Sequence, residues 1–511
     1  MATIAKSAWP KQHLTRLGVP ELSSVGFGGF RLGAKDRATG SQALLDALRA
    51  GVNVIDSASH FGNGVSEAII GDTLKAAAKE WGLKRENVVL ISKCGHILGN
   101  PSKVIELAES RLLNAVVLSD SAAHCISPKF IESEIDSSLA RLGVDKIDIY
   151  MLNCPERLLA GKLRGQKLPS VYPLIKEAFE HLELEVKRGR IGSYGIASNS
   201  ITNPAVPDYI NIEECVAIAK VVGGPSHAFS SIEYPLNLFE RDAVERIEGG
   251  KVLSEIAEEN GLYQFTQRPL NVIAAGSIRC LGDKKSGYDD ENKITAELTA
   301  HFERVTELES DLSDLVGDTA EDINIVSHFI WAETLSENLT KLISSNAFAT
   351  SHYVNNTVLP TLFSDVDALL RGLNPGSPNS EAIQLWAGEY KQAIAELCSL
   401  LVNLCEAAEA STNREIANVL AAMAPSAIRE WRELTFIESG KDVDMFAQIP
   451  LSDLAIRLIR ASLEMKTNGR GGTVLVGMRK PEYVDGVIIA GSGGNVSSDD
   501  VESAFLCSLL D

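Results

Sequence analysis

Short apolar stretches alternate with amphipathic stretches along the first half of the chain. Seven stretches have the length and the β-branched content typical of buried strands. They are SSVGFG, VNVIDS, NVVLISK, KIDIYML, RIGSYGIAS, HAFSSIEY and LYQFTQRPL. Between most of them lie segments such as GSQALLDALRAG and SPKFIESEIDSSLARLG, whose apolar residues share one face of a helix. This alternation predicts parallel strands joined by right-handed helical crossovers.

An eighth unit of the same kind lies far downstream. The segment PLSDLAIRLIRASLEM predicts a helix, and GGTVLVGMR, which follows it, predicts a strand. Eight such units close into a (β/α)8 barrel. We therefore predict an α/β fold, a TIM barrel whose first seven strands lie in residues 15–280. Residues 446–511 are expected to add the last helix, strand eight and a C-terminal segment.

The stretch between these two parts, residues 281–445, has a different character. Glycine is sparse, strand-like runs are absent, and long helical patterns appear, such as SEAIQLWAGEYKQAIAELCSLLVNLCEAAEA. We predict an α-helical insertion between strand seven and the last helix-strand unit. An insertion that follows a barrel strand emerges at the C-terminal face, where the βα loops build active sites. Two interpretations stay open, a lid over the barrel mouth and a helical platform that faces away from it.

Composition limits the partners and the compartment. A net charge of −20 argues against binding of nucleic acid or of anionic membranes, which both favour basic surfaces. Eight cysteines without a C-x-x-C pair indicate reduced thiols and no metal site. Neither a membrane span nor a secretory signal is expected. We predict a cytoplasmic protein, with an organelle leader around Lys6, Lys11 and Arg16 as the minor alternative.

The stretch NVIDSASHFGNGVSE, residues 53–67, has the form of a catalytic turn. An apolar run ends at Asp56, a glycine-rich loop follows, and Ser66 and Glu67 open a helix. A phenyl ring, that of Phe61, stands where a proton-donating side chain would be sought. The turn is therefore either an active site with an altered donor or the remnant of one.

Six segments, in order along the chain, resemble the landmarks of the aldo-keto reductase superfamily. They are LGVPELSSVGFGGFRLG, AGVNVIDSASHFGNGVSEAIIG, VVLISKCG, HCISPKFIESEIDSSLARLGVDKIDIYML, GRIGSYGIASNS and VLVGMRKPEYV. The resemblance covers residues 13–280 and 446–490. It implies a barrel enzyme that moves a hydride between a nicotinamide cofactor and a carbonyl group. The helical insertion has no counterpart in the usual family member.

The resemblance implies four catalytic side chains at the barrel mouth. In the family a tyrosine protonates the carbonyl oxygen, a lysine paired with an aspartate lowers the pKa of that tyrosine, and a histidine orients the carbonyl. Asp56 and Lys93 match the aspartate and the lysine, whereas Phe61 and Asn153 replace the tyrosine and the histidine. Phenylalanine cannot donate a proton, and an amide can form hydrogen bonds but cannot titrate. Asp56 and Lys93 could equally persist as a buried ion pair without chemistry.

Three neighbouring side chains are candidates for a substitute proton donor. His60 adjoins the phenylalanine, His96 follows the lysine by three residues, and Cys154 follows the asparagine. Side chains on strand-end loops usually diverge. Each of the three could therefore also be an ordinary surface or core residue.

The resemblance also implies a dinucleotide site without a Rossmann turn, since no G-x-G-x-x-G joins a strand to a helix. The implied contacts are Ser198, Asn199, Ser231, Gln267, Arg268, Leu270, Asn271, Gly477, Arg479 and Lys480. The first three would approach the nicotinamide amide, and residues 268–271 would run beside the pyrophosphate. Gln267 stands where many members stack an aromatic ring. Arg479 and Lys480 suit a 2′-phosphate and favour NADP(H), unless they are a solvated basic pair.

Two classes of function therefore stay open on the sequence. The first is an NADP(H)-binding oxidoreductase for an aldehyde, ketone or sugar, with proton transfer weakened or rerouted by the two replacements. The second is a pseudoenzyme, a nucleotide-sensing or scaffold subunit that docks a protein partner through its helical insertion. The retained aspartate and lysine favour the first class, and the lost tyrosine and histidine favour the second.

Overall fold

The chain is described by a computed structural model over the following residues: 4–6, 21–99, 114–164, 170–245, 250–274, 277–282, 291–316, 327–344, 347–372, 379–439, 448–507 and 510. It divides into two compact units, Met1–Leu270 with Val419–Asp511 and Asn271–Asn418. The second unit begins and ends earlier than the insertion expected from the sequence, 281–445. None of the described helices is long and apolar enough to span a membrane.

A closed barrel of eight parallel strands forms the centre of the first unit. The strands are β1 Val25–Gly28, β2 Val54–Asp56, β3 Val89–Cys94, β4 Ile147–Asn153, β5 Ile191–Ala197, β6 Phe229–Pro235, β7 Tyr263–Gln267 and β8 Thr473–Val476. Each strand pairs with its neighbours in chain order, and β8 closes the barrel against β1. Each of the eight apolar stretches contains one strand, so the prediction of a (β/α)8 barrel is confirmed.

Helices follow the barrel strands and make up most of the second unit. In chain order they are α1 Arg37–Arg49, α2 Val65–Trp81, α3 Pro128–Leu142, α4 Val171–Lys187, α5 Ile212–Gly223, α6 Leu253–Glu259, α7 Glu291–Val316, α8 Trp331–Glu337, α9 Leu339–Ser344, α10 Ala347–Tyr353, α11 Leu359–Gly372, α12 Ser380–Met423, α13 Pro425–Ser439, α14 Leu451–Lys466, α15 Pro481–Gly491 and α16 Ser498–Phe505. A helical region between β7 and α14 is therefore present, as predicted.

Strand alternation explains why polar residues collect at one end of the barrel. The barrel interior is filled by side chains that include Val54, Ile91, Met151 and Phe265. Two residues further along each of these strands, the side chain returns to the interior at the C-terminal end. Those positions hold Asp56, Lys93, Asn153 and Gln267.

A small antiparallel sheet between β3 and α3 is not predicted by the sequence. Its strands are His96–Leu98, Val116–Ser119 and Ala122–His124. These strands are three or four residues long and partly exposed, so they lack the apolar alternation by which longer strands are found. The sheet matters because it carries two histidines to the C-terminal end of β3.

The second unit has an apolar core of its own. Trp386 stacks on Tyr390 with ring centroids 4.9 Å apart, and the ring of Phe329 meets both edge-on. The Trp386 Nε1 donates a hydrogen bond to the carbonyl oxygen of Leu308 at 2.7 Å. Helices α7, α8, α11 and α12 supply most of this core. A hairpin of strands Asn271–Ala274 and Ser277–Cys280 precedes them.

Candidate active site

Lys93 is buried between two carboxylates at the C-terminal ends of β2, β3 and β6. Its Nζ donates to Asp56 Oδ1 and, at 2.9 Å, to Glu233 Oε2. All three residues are at most 5% exposed. Burial alone lowers the pKa of Lys93, but the two carboxylates outweigh burial and raise it. Lys93 is therefore held as an ammonium ion.

The same cluster exchanges a proton near neutral pH. Burial raises the pKa of Asp56 to about 7, with Glu233 adding to the rise and Lys93 opposing it. Two ionised carboxylates around one ammonium ion leave a net negative charge in a low-dielectric site, which favours uptake of a proton. The Asp56, Lys93 and Glu233 cluster is thus one coupled group rather than a simple ion pair.

A loop after β2, with three residues in the left-handed conformation, carries Phe61 over Lys93. Gly62, Asn63 and Gly64 all have positive φ, at 56°, 54° and 88°. Glycine and asparagine adopt this conformation most readily, which explains the composition of the loop. The turn sets the Phe61 ring with its centroid 5.6 Å from the Lys93 Nζ. The structure therefore brings Asp56, Lys93 and Phe61 together, as expected from the resemblance.

Asn153 closes a chain of hydrogen bonds between the ends of three strands. Gln267 Nε2 donates to Asn199 Oδ1 at 3.3 Å, and Asn199 Nδ2 donates to Cys154 Sγ at 3.4 Å. The Cys154 thiol in turn donates to Asn153 Oδ1 at 3.5 Å. This order leaves the amide NH2 group of Asn153 as its remaining donor. Burial raises the pKa of Cys154 well above its ordinary value, so the thiol is a poor acid.

Three histidine rings lie in consecutive contact beside Phe61. The centroid of His60 is 4.8 Å from that of Phe61 and 4.8 Å from that of His96, which is 5.2 Å from that of His124. His124 Nε2 donates to the carbonyl oxygen of Asn153 at 2.7 Å. Burial lowers the pKa of His60 to about 3, of His96 to about 4 and of His124 to about 3. All three are neutral at physiological pH.

We expect the free energy of unfolding to fall as the pH drops from about 6.5 to about 4. In this window the three histidines are neutral in the folded chain and protonated in the unfolded chain, whose histidines titrate near 6.5. The unfolded state then binds more protons, so stability rises with pH. Urea unfolding at several pH values measures the slope, and His124→Gln should make it shallower.

Asp56→Asn is a control variant that should change the slope of the free energy of unfolding against pH in the opposite direction. The pKa of Asp56 in the folded chain, about 7, lies above its ordinary value of 3.8, so ionisation of Asp56 removes stability as the pH rises between these values. Removing this group should steepen the overall slope. An unchanged slope in His124→Gln would contradict the assignment of the neutral histidines.

The residues implied for the nicotinamide divide into two groups. Ser198 and Asn199 follow β5, where Asn199 is half-buried and its side-chain amide makes only long hydrogen bonds, to Cys154 and to Gln267. Ser231 instead lies inside the barrel, two residues before Glu233 on β6. It is fully buried, and its Oγ has no hydrogen-bond partner in the part of the chain that the structure describes. Ser231 therefore lies deeper than the barrel mouth.

The residues implied for the phosphates lie at the start of α15. Arg479 pairs with Asp36 at 3.3 Å, and Lys480 pairs with Glu482 at 3.4 Å. Both basic side chains are about 40% exposed, so these pairs are weak and a phosphate can displace them. Lys480 is the residue before the helix, whose free N–H groups also attract anions. A cofactor phosphate therefore fits this corner, next to the exposed Gly477.

The segment implied for the pyrophosphate is constrained. Arg268 has a positive φ of 59°, and its Nη2 pairs with Glu240 at 2.5 Å. Leu270 is half-buried and ends the first part of the first unit. Asn271 begins the hairpin of the second unit, paired with Cys280. Residues 268–270 thus belong to the unit that contains the barrel, and Asn271 belongs to the other unit.

Sequence reasoning missed three polar residues of the site. Glu233 had one available signal, a charged residue at an alternate position of an otherwise apolar strand. Glu156 is buried after β4, and its Oε1 accepts from the Asn199 backbone N at 3.0 Å. His124 had no signal, because its position depends on the small antiparallel sheet. No group of side chains suited to a metal ion occurs among the described residues.

Comparisons with known proteins agree with this geometry. A model of the aldo/keto reductase family matches residues 24–205. An NADH-specific methylglyoxal reductase of Escherichia coli is 31% identical over 185 residues, 36% of this chain and 48% of that protein. An aldo-keto reductase of Bacillus subtilis is 27% identical over 226 residues, 44% of this chain and 52% of that protein. The chain thus spans about half the length of these curated relatives.

Among solved structures, a glycerol dehydrogenase of Gluconobacter oxydans is similar over 95% of this chain and 91% of its own. Its sequence identity is 17% and its TM-score is 0.44. The family model covers the part of the chain that contains β1 to β5 and the Asp56 and Lys93 pair. Residues 24–205 of the chain are therefore similar to the aldo/keto reductase family.

Proposed function

We propose that the barrel is an NADP(H)-dependent oxidoreductase for the carbonyl group of an aldehyde, ketone or sugar. The observation that carries this proposal is the buried Lys93 ammonium at the barrel mouth, held by Asp56 beside the family's tyrosine position. The relatives named above are reductases by their descriptions. A reduced nicotinamide, when bound, supplies the hydride. The free thiols and this chemistry fit a reducing compartment such as the cytoplasm.

The chain's own residues can orient a carbonyl but lack the usual proton donor. The Asn153 amide has its oxygen engaged by Cys154, so its NH2 group is the donor available to a carbonyl oxygen. Phe61 contributes only an apolar wall. A neutral imidazole still donates one N–H hydrogen bond. His60 and His96 are therefore proposed to relay the proton: the ring N–H proton passes to the carbonyl oxygen while the other ring nitrogen takes up a proton from water. Cys154 is the weakest of the three candidates.

We expect Arg479→Ala to weaken NADPH binding about tenfold and to leave NADH binding unchanged. The reason is the loss of a charge-assisted contact to the 2′-phosphate, which NADH lacks. The measurement is a fluorescence titration of each nucleotide against the full chain. Arg49→Ala is the matched control, because Arg49 is similarly exposed and pairs with Glu80. Equal affinity of the wild-type chain for the two nucleotides would contradict NADP(H) as the cofactor.

A second candidate function is a pseudoenzyme that senses a nucleotide or docks a protein partner through its helices. One observation favours it. The Asn199 and Gln267 side chains, which would approach the nicotinamide, hydrogen-bond to each other. Saturable NADPH binding without any consumption of NADPH in the presence of an activated aldehyde would support this candidate over the oxidoreductase.

A further inference from the structure

Lys93 forms two buried ion pairs, one with Asp56 and one with Glu233. The second partner, Glu233, approaches from β6, on the side of the barrel opposite to β2. We propose that Glu233 is a positioning residue: by sharing the Lys93 ammonium with Asp56, it cancels the positive field of Lys93 at the Phe61 position. This inference deepens the proposed function, since it concerns the same site, but its test needs neither cofactor nor substrate.

The charges of the cluster determine the field at Phe61. One ammonium ion stands against two carboxylates, so the cluster is negative once both acids are ionised. A single ion pair would instead be neutral, with its positive end at Lys93, 5.6 Å from the centre of the Phe61 ring. At such distances in a buried site, one added charge changes the ionisation of a neighbouring group strongly.

The other groups around the Phe61 position do not restore a positive field. His60 touches the Phe61 ring, and His96 and His124 continue from it. Burial lowers the pKa of each of these histidines, so they stay neutral above pH 7. Among the residues that the structure describes, Lys93 is the cation that lies over the ring, and both of its partners are acidic.

A tyrosine introduced at position 61 serves as the probe. The full chain is prepared as Phe61→Tyr with tyrosine isotope-labelled at the ring Cζ, and the added resonance is followed against pH by NMR. In Phe61→Tyr alone, we expect the phenol to titrate at or above its ordinary value of about 10. In Phe61→Tyr with Glu233→Gln, the ionisation constant of the phenol should rise at least about tenfold, a shift of one pKa unit.

Two results would overturn the inference. The first is a phenol pKa well below 10 in the single variant Phe61→Tyr. This measurement leaves Glu233 unchanged, so it can be made even if the double variant does not fold. The second is an equal phenol pKa in the two variants. Phe61→Tyr with Glu156→Gln is the matched control, because Glu156 is also a buried acid at the mouth but makes no ion pair with Lys93. Its shift should be much smaller.

The test separates the failure of this inference from the failure of the proposed function. A chain that binds no NADPH would still give the phenol titration described above. A chain that binds NADPH and reduces aldehydes could equally show no effect of Glu233. The second case would leave the oxidoreductase in place and reject the role of Glu233.

Discussion

Phe61→Tyr is expected to raise the turnover number for an activated aldehyde about tenfold, and Phe61→Tyr with Glu233→Gln about 100-fold. The first change restores a hydroxyl as proton donor beside Lys93. The second removes the carboxylate that offsets the Lys93 charge, so that the phenol becomes a better acid. Both gains stay below the upper range for a general acid, because Asn153 cannot replace the histidine. Steady-state NADPH oxidation measures them.

Phe61→Leu is the matched control for the restored hydroxyl. It removes the ring without adding a donor and should gain nothing. No gain in either tyrosine variant, with NADPH binding intact, would mean that the site differs from the family by more than one hydroxyl. A wild-type chain that is already fast would instead point to His60 or His96 as an effective donor.

Lys93→Met should destabilise the chain by about 3 to 5 kcal/mol at about pH 8. The change leaves Asp56 and Glu233 buried together without a cation. The loss should be smaller at about pH 5, because burial already raises the pKa of Asp56 to about 7 and a protonated acid costs less to bury. Urea unfolding followed by circular dichroism measures both losses.

Lys146→Met is the matched control for that loss. Lys146 lies 4.0 Å from Asp148 and is 44% exposed, so its removal should cost less than about 1 kcal/mol. Similar losses in the two variants would contradict a buried ionic cluster at the barrel mouth.

The barrel could be predicted because its signals are local and repeated. Each strand is a short apolar run followed by an amphipathic helix, and eight such units have few alternative folds. The small sheet that carries His96 and His124 could not be predicted, because its strands are short and partly exposed. Their pairing depends on contacts between distant residues.

The boundaries of the second unit could not be predicted from the spacing of apolar residues either. Helix α13 has the same amphipathic pattern as the helices before it, yet it belongs to the first unit. The reason is that Glu430 of this helix binds residues of the first unit. Its Oε2 accepts from Arg457 Nη1 at 2.7 Å, and its Oε1 accepts from the Gly494 backbone N at 2.6 Å. A buried ion pair between distant helices leaves no signal in the spacing of apolar residues.

The residues of the site could be predicted where their position follows from the ends of strands. The ion pairs between side chains of distant strands could not be predicted. Asp56 and Asn153 end their strands and Lys93 lies one residue before the end of β3, so all three are at one face of the barrel, as a parallel barrel requires. The pairing of Lys93 with Glu233 joins β3 and β6, which are not neighbours. Only the closed barrel brings these two strands face to face.

Transfer of a labelled hydride tests the central claim most directly. The full chain is incubated with NADPH that carries deuterium at both hydrogen positions of nicotinamide C4 and with a nitro-substituted benzaldehyde, and the alcohol product is analysed by mass spectrometry. We predict deuterium at the carbinol carbon, formed slowly and only in the presence of the chain. An unlabelled product, or none above the control without protein, despite saturable NADPH binding, would contradict the oxidoreductase and favour the pseudoenzyme.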